Sequence, residues 1–233
     1  IDAPDQATFI DWSDTLAAFI GAPQPTLEQA RAAQLALQAM SGYFETVLPA
    51  KRRHPGDDLL SVLAVGAANG DVHGGAELLA QCAMLLFAGH ETTRNLLGNG
   101  VQVLLSQPGA WATLVAEPAL IPGAVRELLR YECPVQYTGR RVTTETVLHG
   151  QRLQRGDLVV ALIGAANRDP AQYPQAQQFD LRRKAGSSLA FGHGVHLCIG
   201  AALTLMEGEA ALRALVRRWP RLRGAGDSAW VPN

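Results

Sequence analysis

Residues 76–106 run for 31 positions without a proline, and apolar side chains fall on nearly every side of the helix that their spacing predicts. A helix of this kind is stable only when other elements surround it, so the chain is expected to build a mainly α-helical domain around it. Its most apolar part, residues 78–89, is interrupted by Gln81 and falls short of the ~20 residues that span a bilayer. No membrane span is expected. The 37 alanines, most of them before residue 125 or after residue 200, point to helix at both ends of the chain. Charge is sparse and balanced, 18% of residues with a formal net charge of −1, which argues against nucleic acid or an anionic membrane as a partner because both select clustered Lys and Arg.

Thr26-Leu27-Glu28-Gln29 has the form of a capping box, opening a helix expected to reach about residue 48 with Ala30, Ala33, Leu37, Met40 and Phe44 on its buried face. Pro49 and His54-Pro55-Gly56 are expected to end it, and a short helix follows over residues 58–65. A helix opened by Pro108 and a second one over about 120–131 lead to Cys133-Pro134. Residues 135–160 are rich in Val, Thr and Tyr and are punctuated by His149-Gly150 and Arg155-Gly156, which predicts small β-hairpins. An irregular stretch, residues 167–188, then leads to a glycine-rich turn and a final helix over about 198–219. The fold class is thus mainly α with small β-hairpins.

Three cysteines, Cys82, Cys133 and Cys198, are too few and too far apart for a disulfide framework or a paired zinc site, and a reducing cytoplasm fits them best. Cys198 alone has a distinctive frame, Phe191-Gly192-His193-Gly194-Val195-His196-Leu197-Cys198-Ile199-Gly200. Glycines at 192 and 194 allow a tight loop around the sulfur, Gly200 permits close approach of a flat ring, and the start of the final helix favours a thiolate. Such a thiolate can hold a haem iron. Within the long helix, Ala88-Gly89-His90-Glu91-Thr92 sets a carboxyl group beside a hydroxyl in apolar surroundings, a pair suited to proton delivery. Glu127 and Arg130, three apart on one helix face, can form a buried ion pair with Asn167-Arg168-Asp169-Pro170 and Phe179-Asp180.

With these three motifs in order, the chain resembles the cytochrome P450 family of haem-thiolate monooxygenases, in particular its bacterial members. The resemblance covers essentially the whole sequence but only the C-terminal portion of the family's fold. Residues 1–233 are accordingly expected to be the C-terminal portion of a single domain whose earlier helices precede residue 1. It implies Cys198 as the axial iron ligand, Phe191, Gly192, Gly194, His196 and Gly200 as the rest of the haem loop at 191–200, and Ala88 and Gly89 beside the cofactor. Glu91 and Thr92 become the acid–alcohol pair, and Glu127 and Arg130 the structural Glu-x-x-Arg. Arg140 stands where the family places a propionate-binding arginine, with Arg141 as the other candidate. One departure is local: where the family has Leu-Ala-Arg-x-Glu after the haem glycine, this chain reads Leu203-Thr204-Leu205-Met206-Glu207.

The activity so implied is insertion of one atom of O₂ into a hydrophobic small molecule, using haem b (iron protoporphyrin IX). The electrons would come from NAD(P)H through a ferredoxin- or flavodoxin-type partner and its reductase. A peroxide-driven haem-thiolate enzyme is the alternative, and a haem-binding sensor or a haem-free helical protein are alternatives of other classes. The N-terminal Ile1-Asp2-Ala3-Pro4 shows neither a starting Met nor a secretory pattern, consistent with an expected start upstream.

Overall fold

The structure, a computed structural model, describes residues 5–22, 24–184, 186 and 188–226. The first four residues, assessed above for a leader, and residues 227–233 of the expected domain lie outside the described residues. The chain forms two compact units that divide between Glu91 and Thr92.

The first unit contains α1 (Gln6–Gly21), α2 (Leu27–Arg53), α3 (Leu59–Asn69) and the opening turns of α4 (Gly75–Ser106). Thr26 caps α2 as its sequence indicates: its hydroxyl accepts from the Gln29 amide at 3.1 Å, while Gln29 Oε1 accepts from the Thr26 amide at 2.8 Å. The buried face of α2 is Ala33, Ala36, Met40, Phe44 and Leu48, which step by three or four residues; Leu37, expected inside, is exposed. Against them pack Phe9 and Leu16 of α1, Ala64 of α3, and Leu78, Cys82 and Ala83 of α4. Phe9 meets the Tyr43 ring edge-on at 4.8 Å.

Two boundaries in this unit differ from expectation. Pro49 lies inside α2 instead of ending it, because a proline so near the C-terminus removes one amide while the His54 amide still bonds Ala50 O at 2.9 Å. The basic Lys51, Arg52 and Arg53 complement the helix dipole there. Helix α3 extends to Asn69, four residues further than its sequence suggests, and ends on Gly70 at φ 83°.

The second unit is built on α5 (Ala110–Ala116), α6 (Ile121–Tyr131) and α8 (Ala201–Arg218), with the later turns of α4. Leu96, Val103 and Leu104 of α4, Trp111 and Leu114 of α5, Ile121, Val125 and Leu128 of α6, and Leu212 and Val216 of α8 make one core. Strand β1 (Tyr137–Arg141) pairs antiparallel with β4 (Leu158–Leu162), and between them β2 (Thr146–Leu148) and β3 (Gln151–Leu153) form a hairpin. A four-residue helix, α7 (Ile163–Ala166), follows β4 directly.

Helix α4 spans 32 residues but is covered less completely than its composition suggests: Met84 is 57% exposed, and Ala88 and Gly89 are exposed as well. Among the described residues no helix is long and apolar enough to cross a membrane.

Candidate functional site

The cysteine loop begins on an anchored backbone. Asn167, fully buried at the end of α7, accepts the Leu189 amide on Oδ1 at 2.7 Å, and Ala190 and Phe191 pack against the core of the second unit. Single helical turns at Leu189–Phe191 and Gly194–His196 flank two glycines with positive φ, 72° at Gly192 and 76° at Gly194. A side chain at either would be strained. The loop closes where the Cys198 amide donates to Phe191 O at 2.9 Å, and Cys198 O in turn accepts the Ala201 amide that starts α8. The thiol therefore stands just ahead of a helix of 18 residues.

Sulfur chemistry separates this cysteine from the other two. Burial pushes the Cys82 and Cys133 thiols up, which keeps them protonated and inert, whereas Cys198 is exposed. Around it Val195 is 97% and Ile199 91% exposed, so the loop offers one soft donor on an apolar surface. A Cβ built on Gly200 would stand 3.9 Å from Cys198 Sγ, in the space beside the sulfur. A soft ligand, apolar flanks and an uncrowded approach fit a haem iron and its ring. His196 and Arg140 are exposed, and the Arg140 guanidinium donates to Thr138 Oγ1 at 2.9 Å and Gly139 O at 2.8 Å. Arg141 instead donates to Gly156 O across the sheet.

Behind the loop lies a buried ion-pair network. Both carboxylate oxygens of Glu127 accept from Arg130, at 2.8 Å each, and the two side chains are 3% exposed. Arg130 spends its remaining donors on the carbonyls of Asn167, Ala176 and Gln178, so one guanidinium ties three points of the irregular 167–183 stretch to α6. The Asp180 amide also donates to Glu127 Oε1 at 3.0 Å. Arg168 sits apart from the pair, bonded to Tyr131 O and lying 4.1 Å from the Tyr131 ring centroid. Arg183, absent from the sequence analysis, donates to Glu127 Oε1 at 3.1 Å and to Pro174 O and Gln178 O. Its place follows Phe179-Asp180 closely, the one sequence signal that pointed toward it.

On α4, Glu91 is buried at 8% exposure and Thr92 half-buried. Gly89 has no other part of the described chain within 4 Å of where a Cβ would be. Among the described residues no group of three or more His, Cys, Asp or Glu side chains can hold a metal ion.

Known proteins resemble the chain along its whole length. The chain is 41% identical over 238 residues to the cytochrome P450 monooxygenase PikC of Streptomyces venezuelae, covering 100% of this chain and 55% of that protein. A ligand-free crystal structure of Mycobacterium smegmatis CYP164A2 superposes with a TM-score of 0.92 at 32% identity, over 100% of this chain and 60% of that one. P450BioI, crystallised with hexadec-9Z-enoic acid ligated to acyl carrier protein, gives 0.91 at 34% identity, over 100% and 59%. The chain thus spans about half the length of the curated relatives it matches. The sequence profile described as "Cytochrome P450" matches residues 8–220, from within α1 to just past the end of α8, and the chain belongs to that family.

Proposed function

We propose that this chain carries the haem-binding portion of a bacterial P450 monooxygenase that oxidises a hydrophobic small molecule. Cys198 would supply the sulfur that holds the iron, Phe191, Gly192, Gly194 and Gly200 would shape its loop, and His196 and Arg140 would hold the propionates. Ala88 and Gly89 give the α4 backbone a surface without bulky side chains. Haem held through Cys198 would supply a reducible iron for the splitting of dioxygen, one oxygen atom going to the substrate and the other, with two electrons and two protons, to water.

The chain's own residues then have separable tasks. The Thr92 hydroxyl holds a proton-bearing group at its Oγ1, and the largely buried Glu91 carboxyl hands on to it protons that it takes up from solvent. Glu127 and Arg130 act on neither substrate nor oxygen; they keep the backbone at Asn167 fixed, and Asn167 fixes the start of the cysteine loop. Two electrons per turnover come from NAD(P)H through a ferredoxin- or flavodoxin-type carrier and its reductase, in a cytoplasm reducing enough to leave the thiol free. The apolar side chains along α4, and the complex of P450BioI with hexadec-9Z-enoic acid ligated acyl carrier protein, support a hydrophobic substrate.

One observation carries this reading: an exposed thiol, turned outward by two positive-φ glycines, on a loop anchored to the buried Glu127–Arg130 network. The test is the spectrum of the reduced, haem-loaded protein under carbon monoxide. The parent is expected to show the red-shifted band of a thiolate ligand, and Cys198→His to lose it while still binding haem. A thiolate band surviving in Cys198→His would defeat the assignment.

A further inference from the structure

Gly208 lets α8 pack tightly on α6 while it touches α4: a Cβ there would stand 3.0 Å from Val125 Cγ1 of α6 and, in ordinary contact, 3.7 Å from Leu96 Cδ2 of α4. One position earlier, Glu207 Oε2 accepts a part-buried hydrogen bond of 3.2 Å from Thr93 Oγ1, linking points 114 residues apart. Thr93, Leu96 and Gly100 step by three and four, so they share one face of α4. Gly100 marks a close approach of that face to α6, since a Cβ there would meet Leu128 Cδ1 at 3.0 Å. Leu96 and Gly100 seat α4 by shape alone. Thr93–Glu207 adds a directional bond at the end of this face nearest Thr92.

Direction matters here because Thr92 precedes Thr93 by one residue, ~100° round the helix. A side-chain oxygen ~5 Å from the helix axis moves by ~0.9 Å for every ~10° of rotation, and displacements of that size cost catalysts heavily. We propose that Thr93 and Glu207 are a positioning pair, which fixes the rotation of α4 and with it the direction of the Thr92 hydroxyl. The inference rests on the assignment of Thr92 to proton delivery. Neither residue exchanges protons with oxygen in this scheme. Glu207 needs only an acceptor oxygen and Thr93 only a hydroxyl donor, so glutamine and serine can replace them.

The experiment reduces the haem-loaded protein with NADH through a surrogate ferredoxin and reductase, without added substrate. It measures hydrogen peroxide released per O₂ consumed. Poor proton delivery leaves O₂ at the two-electron stage, where two electrons and two protons give peroxide; good delivery allows four of each to give water. Thr93→Val and Glu207→Ala are each expected to raise the peroxide fraction at least twofold, and the double variant no further, with Thr93→Ala as the fallback should Val disturb folding. Thr93→Ser and Glu207→Gln should match the parent, which a loss of packing would not predict. Carbon monoxide spectra should be the same throughout, and the thermal midpoints of the haem-free proteins should show the same non-additivity. Thr92→Ala separates the two claims. If it raises peroxide while Thr93→Val and Glu207→Ala match the parent, or if their effects multiply in the double variant, the positioning pair is wrong. If Thr92→Ala itself matches the parent, the assignment of Thr92 fails and takes the pair with it.

Discussion

Replacing Glu127 with alanine should be among the most damaging single changes in the second unit. The glutamate accepts four hydrogen bonds, two from Arg130, one from Arg183 and one from the Asp180 amide, and its side chain is 3% exposed. Removing it leaves Arg130 charged, 3% exposed and satisfied only by neutral carbonyls. Breaking one partner of a buried pair typically costs ~3–5 kcal/mol, far more than the net worth of the intact pair. With a urea dependence of ~2 kcal/mol per molar, the unfolding midpoint should fall by ~2 M. Urea titration followed by tryptophan fluorescence reads this directly. Arg183→Ala should cost less, because Arg183 is 13% exposed at its side chain and its loss leaves the Glu127–Arg130 pair intact. High salt should restore neither variant, since buried pairs are screened little. A midpoint shift below ~0.5 M for Glu127→Ala, or a larger one for Arg183→Ala, would refute the reasoning.

Two further changes probe packing and capping. Gly208→Ala places a methyl 3.0 Å from Val125 Cγ1, and Val125 is 1% exposed with no room to retreat. The gain in helix propensity of ~1 kcal/mol is then outweighed by overpacking of ~1–3 kcal/mol, and Val125→Ala in the same chain should recover part of the loss in thermal unfolding. Asp58 caps α3 and pairs with Lys51, which holds its carboxyl down to about 2 from 3.8. A depressed carboxyl stabilises above its unfolded pKa, so this contribution should be complete above about pH 4 and vanish as pH falls through about 2. Thermal midpoints of Asp58→Asn should accordingly show a flatter acid limb than the parent.

What the sequence disclosed was mostly local. The capping box at Thr26, the Cys133-Pro134 stop and the His149-Gly150 turn are each specified by adjacent residues, and each appears where its chemistry puts it. The glycine frame of Cys198 was equally legible because positive φ is a property of single residues. Long-range satisfaction was not. Phe179-Asp180 marks the neighbourhood of Arg183, but nothing in it specifies that this side chain pairs with Glu127, 56 residues earlier, and nothing near Glu207 announces Thr93. The choice of Ala36 over Leu37 for the buried face of α2 was set by the helices packed on it, which composition does not reveal.

The β2–β3 hairpin has a different consequence. Its turn places His149 at φ 46° and Gly150 at φ 79°, and from Thr146 to Arg152 every residue is exposed. It is held by its own ladder and by the β1–β4 pair through which the chain enters and leaves. Lengthening such a tip costs only slowly growing loop-closure entropy, ~0.6 kcal/mol per doubling. The tip is therefore a natural graft point, where an epitope or a fluorophore-bearing peptide can be spliced in as a reporter while the core and the cysteine loop keep their own sequence.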